Sequence, residues 1–314
     1  MARIRFGTLP GQVYASKPVI RVIMPQLQET TMAVTQQPTR GDLLSLTTDF
    51  QADTGCPEPS LRAIAEAGFT HVHWCHHWNT DFLYSRPEIS QIARWLSESG
   101  LKLLDLHGSA GQEKCWYSLR ESERLAGVEL VQNRLEMTAE LGGVSVVMHI
   151  PKLPDGAETT PQCDQLRRSI DALLPAVRGL GVRLALENMA NEDFRFLRKL
   201  LSEYGADAVG ICYDCGHGNM DQRRGLDHID TVKDRLIAVH LHDNDGIRDQ
   251  HWVPFTGTVD FPRLAAILAR SSYRGCISME SNLKNVADFA KPTFLSDAHQ
   301  AGRRLTEMVA LAMG

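Results

Sequence analysis

The chain has 314 residues, of which 43% are hydrophobic and 23% are charged. These fractions exclude a disordered or collagen-like chain, and the length corresponds to about two average domains or one large α/β barrel. The formal net charge of −5 argues against a broad surface for nucleic acid or anionic membranes. No apolar run approaches the ~18 residues of a membrane span. Because the seven cysteines are scattered, as is typical of reduced thiols, we expect a soluble, cytoplasmic protein.

The N-terminal segment differs in composition from the rest of the chain. Residues 1–31 contain a single acidic residue, Glu29, and their apolar stretch is too short and too interrupted for a secretory signal. The composition resembles that of a transit peptide, but a start of translation at Met32 is the simpler interpretation. We therefore expect residues 1–40 to be an irregular or non-native extension and residues 41–314 to form the folded domain.

From residue 44 onward one pattern recurs: a short apolar run, a polar loop, an amphipathic stretch, a glycine and the next apolar run. Such a unit is typical of a β-strand followed by an α-helix. Eight units predict a single-domain α/β fold, the (β/α)8 TIM barrel, and no glycine-rich nucleotide-binding motif follows any of the runs. The predicted strands are 44–47, 70–74, 101–106, 144–148, 182–186, 209–213, 236–239 and 276–279.

Local signals predict where several helices begin and end. Asp260 followed by Pro262 predicts a helix N-terminus. Apolar residues at helical spacing predict a helix over 125–141, with Leu125 on its buried face. Helices often end at a glycine in the left-handed conformation. We expect this conformation at Gly68, Gly100, Gly142, Gly181 and Gly205.

Polar side chains end six consecutive predicted strands, from the third to the eighth. In a barrel of this kind the active site is built at the C-terminal ends of the strands. One buried charge there would be unremarkable, but six converging groups would repel and desolvate one another without a counter-ion. The groups are Asp105 with His107, His149, Glu187 with Asn188, Asp214 with His217, His240 with His242 and Asp243, and Glu280.

A divalent metal ion is the simplest counter-ion for this set. Three carboxylates and one imidazole are candidate ligands: Glu187, Asp214, His240 and Glu280. This oxygen-rich set suits Mn²⁺, Co²⁺, Mg²⁺ or Zn²⁺ and is unlike a thiolate-selective site. The sequence therefore predicts one divalent metal ion at the C-terminal end of the barrel.

Several sequence blocks carry a family resemblance: LALENM (184–189), CYDCGHG (212–218), VHLHDNDG (239–246) with DQH (249–251), and ISMES (277–281). They resemble the xylose-isomerase-like TIM-barrel superfamily, which includes sugar phosphate isomerases and epimerases, ketose 3-epimerases, inosose dehydratases and the type IV apurinic endonucleases (AP endonuclease family 2). The resemblance covers roughly the second to the eighth strand. It implies a metal held by the four candidate ligands. In the epimerase branch it also implies that Glu187 and Glu280 form an acid/base pair on opposite faces of a metal-chelated hydroxy-ketone.

The function that this resemblance implies is a metal-dependent isomerase or epimerase of a sugar or sugar derivative, in carbohydrate metabolism. Such an enzyme removes a proton next to a carbonyl and holds the enediolate on the metal. The predicted catalytic residues are Glu187, Glu280 and His149. The predicted substrate-binding residues are His107, His217, Trp116 and Arg248. We expect a small sugar or sugar derivative as the partner, without a membrane, and the sequence leaves a homo-oligomer open.

Two alternatives use the same skeleton. A lyase or hydratase of a keto-sugar or keto-glycoside would begin with the same enolisation, with His149 as acid or base. A phosphodiesterase resembling the AP endonucleases would hold three Zn²⁺, one of them bound by His107 and His149 together with Glu187. The candidate ligands of its third ion are His217, Asp249 and His251. The negative charge of the chain favours the one-metal sugar enzyme over a DNA-binding one, so Asp249 and His251 stand as candidate additional metal ligands.

Overall fold

The computed structural model describes residues 43–51, 55–108, 111–154, 157, 159–220, 222–283 and 292–314. They lie in one compact unit, 38–314. The predicted extension over residues 1–40, and its boundary with the folded domain, fall outside the described residues. Among the helices of the described part, none is long and apolar enough to cross a membrane.

Eight parallel strands form the barrel that the sequence predicts. Each strand from β1 to β6 pairs with the next along the chain, and β1 also pairs with β8. A parallel bridge between Leu241 and Met279 brings the end of β7 to β8, so the sheet is nearly closed. The strands are β1 (Leu44–Thr47), β2 (His71–Trp74), β3 (Lys102–His107), β4 (Ser145–Met148), β5 (Arg183–Glu187), β6 (Val209–Asp214), β7 (Leu236–His240) and β8 (Ile277–Met279).

Helices surround the barrel, and most of them bury one apolar face against the strands. Two short helices connect β6 to β7, and a 3-10 turn over Lys233–Arg235 leads into β7. In the described part of the chain the helices are α1 (Glu58–Glu66), α2 (Arg86–Ser99), α3 (Glu121–Glu140), α4 (Pro161–Leu180), α5 (Arg195–Glu203), α6 (Cys215–Met220), α7 (Gly225–Val232), α8 (Phe261–Arg270) and α9 (Phe294–Ala312).

The predicted left-handed glycines are confirmed at four of five positions. Positive φ angles of 96°, 68°, 79° and 68° occur at Gly68, Gly100, Gly142 and Gly181. The prediction for Gly205 is wrong, since this residue does not have a positive φ. The helix before it ends at Tyr204 in an extended conformation. The Gly205 carbonyl instead accepts hydrogen bonds from the backbone N–H groups of Ala208 and Val209, at 3.1 and 3.0 Å, and so begins a turn.

The helix predictions were right about location and partly wrong about orientation. The Asp260 side chain caps α8 by accepting a hydrogen bond from the Arg263 backbone N–H at 3.1 Å, as predicted. In α3 the prediction for Leu125 is wrong, because 53% of this residue is exposed. The buried face of α3 includes Arg124 and Arg134. Two buried arginines interrupt the apolar periodicity on which the predicted orientation depended.

The alternation of side chains along the strands separates two apolar regions. Small and medium side chains, Val147, Ala185, Cys212 and Ala238, point into the barrel and form a cluster with Ile237. Leu184 and Ile211, the strand neighbours of Ala185 and Cys212, belong to the larger cluster between the strands and the helices. This is the parity that the sequence predicts. The small interior residues leave room for polar groups at the C-terminal ends of the strands.

Candidate metal centre

Four polar side chains converge at the C-terminal end of the barrel. Glu187, Asp214 and His240 are the last residues of β5, β6 and β7, and Glu280 follows β8 directly. All four are buried. One ligand atom from each lies within 4.8 Å of those of the others. Asp214 and His240 are partners in the register of β6 and β7, and Glu187 and Glu280 stand at the same C-terminal end of β5 and β8.

The charges in this cluster are close, and several polar atoms lack a hydrogen bond. His240 Nδ1 lies 3.4 Å from Glu187 Oε1 and 3.1 Å from Glu280 Oε2. Within the part of the chain that the structure describes, Glu187 Oε2 and both ring nitrogens of His240 have no hydrogen-bond partner. Buried polar atoms without partners carry a desolvation cost. A divalent cation fits these four residues, because it would accept electron pairs from the atoms that are left without partners.

The histidines and carboxylates of the cluster perturb one another strongly. Burial alone would raise the pKa of Glu187, but the charges of His240 and His149 bring it well below its usual value. The pKa of Glu280 is lowered in the same way, against burial, by His240 and His251. Burial opposes protonation of His240, yet Cys212 and the two glutamates raise its pKa well above its usual value. A proton on this histidine supplies positive charge that a bound cation would replace.

Two further histidines approach the same oxygen of Glu187. His107 Nε2 and His149 Nε2 lie 3.4 and 3.3 Å from Glu187 Oε2. Although burial opposes it, the nearby Glu187 carboxylate raises the pKa of His107. Trp78, which follows β2, packs against both imidazoles with ring centroids 4.7 and 5.5 Å away. This wall combines ring nitrogens with an aromatic face.

A third group of residues borders the cluster at Glu187 and Glu280. Asp249 Oδ2 is 3.2 Å from His217 Nε2 and 3.1 Å from His251 Nε2. The hydrogen bonds and charges of these histidines lower the pKa of Asp249 against the effect of burial. Despite burial, Asp249 and Glu280 raise the pKa of His251 to about 10. His251 has a φ of 52°, a conformation that is uncommon outside glycine and often found at functional sites.

Comparison with known proteins identifies the family. The model of the xylose isomerase-like TIM barrel family matches residues 61–302. The chain belongs to this family. It is 31% identical over 279 residues to the uncharacterized protein y4fM of Sinorhizobium fredii, covering 81% of this chain and 89% of that protein.

Solved structures of sugar epimerases share the fold of this xylose isomerase-like barrel. A D-tagatose 3-epimerase-like protein superposes with a TM-score of 0.66 at 20% identity, covering 86% of this chain and 98% of its own. The 3-keto-D-glucoside 4-epimerase YcjR from E. coli superposes with a TM-score of 0.62 at 20% identity, covering 85% of this chain and 98% of its own. At these identities the likeness concerns the fold alone.

Two predicted substrate-binding residues of this xylose isomerase-like barrel lie away from the four-residue cluster. Trp116 is fully buried, and its indole N–H donates to the His149 carbonyl at 3.2 Å. The Arg248 side chain is 74% exposed and pairs with Asp245 at 3.3 Å. The structure thus brings together the predicted residues Glu187, Asp214, His240, Glu280, His107, His149, His217, Asp249 and His251. It does not bring Trp116 or Arg248 into direct contact with them, apart from the hydrogen bond of Trp116 to the His149 backbone.

The sequence reasoning gave no role to two histidines that belong to the site. His242 Nε2 lies 3.0 Å from Asp214 Oδ1, and the His242 ring stacks on that of His251 with centroids 4.0 Å apart. His73 lies in β2, and its Nδ1 is 2.7 Å from Asp105 Oδ1. His73 could have been found from alternation, because it points into the barrel in a predicted strand. His242 had a weaker signal, since it follows the end of β7.

Glu192 is another titratable residue that the sequence analysis passed over. It lies in the loop after β5, and its Oε1 has no hydrogen-bond partner among the described residues. Burial raises the pKa of Glu192 to about 7. This carboxyl therefore changes its protonation state near neutral pH, unlike Glu187, whose pKa is lowered.

Proposed function

We propose that this protein is a divalent-metal-dependent isomerase or epimerase of a sugar or sugar derivative. The observation that carries the proposal is the position of two buried glutamates beside the same ring nitrogen: His240 Nδ1 is 3.4 Å from Glu187 and 3.1 Å from Glu280. Membership of a family that contains sugar isomerases supports the substrate class. We propose Glu187, Asp214, His240 and Glu280 as the ligands of one Mn²⁺, Co²⁺, Mg²⁺ or Zn²⁺.

The two glutamates would move the proton. Both have lowered pKa values because of the surrounding histidines, so both are in the basic form at neutral pH. One would take a proton from the carbon next to the substrate carbonyl, and the other would return to the opposite face a proton that it has first taken up from solvent. A bound divalent cation would supply positive charge that stabilises the negative charge developing on the substrate oxygens.

Histidines and an aromatic side chain would position the substrate. His107 and His149 present ring nitrogens beside Glu187, and His217 does so from the opposite side. We propose that they bind substrate hydroxyl groups, with Trp78 as the apolar face for the sugar ring. Trp116 would act through its hydrogen bond to the His149 backbone. Arg248 would reach a substrate only from its exposed position on the loop.

A lyase or hydratase acting on a keto-sugar or keto-glycoside is a second candidate. It would use the same proton abstraction, followed by departure of a hydroxyl or alkoxyl group. The position of His149 favours it, because this side chain is 20% exposed while its Nε2 is 3.3 Å from Glu187 Oε2. His149 is therefore accessible to solvent and also lies beside Glu187, the proposed base, as an acid that protonates the leaving group requires.

A phosphodiesterase with three Zn²⁺ is a third candidate. Asp249 Oδ2 lies between His217 Nε2 and His251 Nε2, at 3.2 and 3.1 Å, which favours Asp249 and His251 as ligands of an additional ion. The net charge of −5 weighs against DNA as a substrate. The phosphodiesterase needs three Zn²⁺, whereas the isomerase and the lyase need one divalent ion, so the metal content separates the phosphodiesterase from the other two.

Metal content and proton exchange test the proposal together. The protein is purified without chelator or a metal-binding tag, its metal is measured by elemental analysis, and ketoses and keto-glycosides are screened in D₂O for deuterium incorporation. We expect about one divalent ion per chain and exchange at a carbon next to the carbonyl of one substrate class. Three Zn²⁺ per chain with cleavage of abasic-site DNA would instead support the phosphodiesterase. Absence of bound metal after reconstitution would refute both the metal-dependent isomerase and the phosphodiesterase.

A further inference from the structure

A buried histidine–aspartate pair lies inside the barrel beside the candidate metal centre. His73 of β2 and Asp105 of β3 are partners in the register of the two strands. His73 Nδ1 lies 2.7 Å from Asp105 Oδ1, and the two side chains are 0% and 2% exposed. The His73 ring is also close to His240, with centroids 4.4 Å apart. The proposed proton transfer uses neither residue of the pair.

The hydrogen bond to Asp105 determines which nitrogen of His73 is free. A carboxylate accepts a hydrogen bond, so Nδ1 carries the proton and Nε2 of the neutral ring keeps its lone pair. His73 Nε2 has no hydrogen-bond partner among the residues that the structure describes. The nearest charged atom is Glu280 Oε1 at 3.9 Å, which is too far for a hydrogen bond. A histidine whose other nitrogen donates to a carboxylate is the arrangement typical of metal-bound histidines.

We propose that His73 Nε2 binds a metal ion, and that His73, His240 and Glu280 form an inner cation position. One ligand atom from each of these three residues lies within 4.8 Å of the others. Two donors bound to one ion at ~2.0–2.2 Å each can be at most about 4.4 Å apart, and the 3.9 Å between His73 Nε2 and Glu280 Oε1 satisfies this limit. We call the cluster of Glu187, Asp214, His240 and Glu280 the outer position.

The two positions differ in chemistry while sharing two residues. Glu280 turns Oε1 toward His73 at 3.9 Å and Oε2 toward His240 at 3.1 Å, so its two oxygens face different neighbours. The inner position offers two imidazoles and one carboxylate, a set that favours Zn²⁺ or Co²⁺. The outer position offers three carboxylates and one imidazole, a set that also suits Mn²⁺ and Mg²⁺. Because the positions share His240 and Glu280, the inference rests on the proposed metal centre.

The variant His73→Asn tests the inner position. The asparagine amide can still donate to Asp105, but the ring nitrogen Nε2 is removed. We expect Co²⁺ and Zn²⁺, measured by competition with a chromophoric chelator, to bind about 10- to 100-fold more weakly. The visible absorption of bound Co²⁺ should also change, whereas Mn²⁺ affinity should change less than about 3-fold, because the outer ligands remain.

The matched control is His71→Asn, on the same strand two residues earlier. His71 contacts the Thr70 hydroxyl at 2.9 Å and is absent from the candidate metal groups of the described residues. We expect its Co²⁺ affinity and spectrum to equal those of the unmodified protein. If His73→Asn also retains both, the inner position is refuted.

Crystals of the unmodified protein soaked in Co²⁺ give a test that does not depend on the folding of a variant. An anomalous-scattering peak within bonding distance of His73 Nε2 supports the proposal. A peak bound only by the outer residues overturns the inner position and leaves the proposed metal centre standing. No bound Co²⁺ and no bound Mn²⁺ in solution would refute both the inference and the metal centre, so the two failures are distinguishable.

Discussion

Glu187 and Glu280 carry the same side chain in different surroundings. Glu187 is contacted by His107 and His149 at one oxygen and by His240 at the other. Glu280 has fewer histidine contacts, and its Oε1 faces the Cys75 thiol at 4.0 Å. The less crowded glutamate is the better candidate for contact with a substrate carbon. At the residue scale, this asymmetry makes Glu280 the sharper test of the acid/base proposal.

We predict that Glu280→Gln lowers the rate of substrate deuterium exchange by about 10²- to 10⁴-fold, the usual contribution of a general base. The amide has nearly the same shape but cannot accept a proton at neutral pH. The measurement is single-substrate exchange in D₂O, with metal content determined in parallel so that loss of the ion is separated from loss of the base. Glu129→Gln, an exposed change on α3, is the control. Exchange at the unmodified rate in metal-loaded Glu280→Gln would count against the assignment.

The raised pKa of Glu192 predicts that the folded protein becomes less stable as the pH rises. Its pKa is raised by burial from 4.5 to about 7, so the unfolded chain loses this proton at lower pH than the folded protein does. Stability is therefore lost as pH rises from about 4.5 to about 7. We predict that Glu192→Gln stabilises the protein by about 1–2 kcal/mol at pH 8, since the side chain is partly exposed and its full shift must be discounted.

Urea unfolding of the Glu192→Gln variant and of the unmodified protein at pH 4.5 and pH 8 measures this effect. The difference between the two should be small at the lower pH, where the carboxyl is protonated in nearly all folded molecules and in about half of the unfolded ones. An equal stability difference at both pH values would show that the amide acts through packing, and not through the carboxyl's charge.

At the scale of elements, the strands were predictable because each barrel strand is a short apolar run bounded by polar residues or glycine. The apolar runs located all eight strands, and alternation correctly assigned Cys212 and Ala185 to the interior. Helix orientation was less predictable. Arg134 is buried in α3 because its guanidinium donates to the Phe82 carbonyl at 2.7 Å, a partner far away in sequence. The same holds for Arg124, which donates to Ser169 at 3.0 Å.

The candidate site was predictable where a strand end marked it and less so elsewhere. Glu187, Asp214 and His240 end their strands, so the barrel rule and the family resemblance both pointed to them. Alternation places His73 inside the barrel, but its role was not predictable, because it depends on the pairing with Asp105 on the neighbouring strand. Loop residues such as Arg248 were assigned by proximity in sequence, which does not determine where a loop places a side chain.

We expect substitution by alanine to have opposite effects on stability at two helical glycines. A Cβ on Gly127 in α3 would lie 2.4 Å from the Trp116 backbone nitrogen and 2.6 Å from the Cys115 carbonyl carbon. Neither backbone atom can move without displacing the loop that carries Trp116. We predict that Gly127→Ala destabilises the protein by about 1–3 kcal/mol, the cost typical of overpacking. It should also weaken substrate binding, because the Trp116 indole holds the His149 backbone.

Gly179→Ala, near the end of α4, is the matched control. A Cβ there would meet no heavy atom within 4 Å, so the gain in helix propensity should stabilise the protein by up to about 1 kcal/mol. Thermal or urea unfolding of both variants measures the effects. Destabilisation of equal size in both would mean that the close approach of α3 to residues 115–116 does not limit this position.

At the scale of the whole molecule, the barrel concentrates negative charge at one end. Asp105, Glu187, Asp214 and Glu280 are all buried there. The surrounding histidines compensate for this charge by holding protons: the pKa of His217 is raised well above its usual value, and that of His251 to about 10. Without a metal ion, folding stability thus depends on imidazolium groups that bind carboxylates.

The sign of this dependence follows from the raised histidine pKa values. The contribution of His251 is fully present below the unfolded value of 6.5 and is lost as pH rises through about 10. We therefore predict that the chelator-treated protein loses thermal stability between pH 6.5 and pH 10. A divalent cation should offset the loss, because it supplies the missing positive charge and its binding displaces protons.

Added Mn²⁺ should consequently raise the midpoint temperature of unfolding more at pH 8 than at pH 6. When the cation is at 100 times its dissociation constant, the free energy of unfolding should rise by about 2.7 kcal/mol. Differential scanning calorimetry with chelator and then with excess Mn²⁺ at each pH measures this. Asp214→Asn, which removes one outer ligand, should abolish most of the gain at both pH values. An equal Mn²⁺ effect at pH 6 and pH 8, or one that persists in Asp214→Asn, would show that the ion stabilises the protein from somewhere other than the buried carboxylates at the end of the barrel.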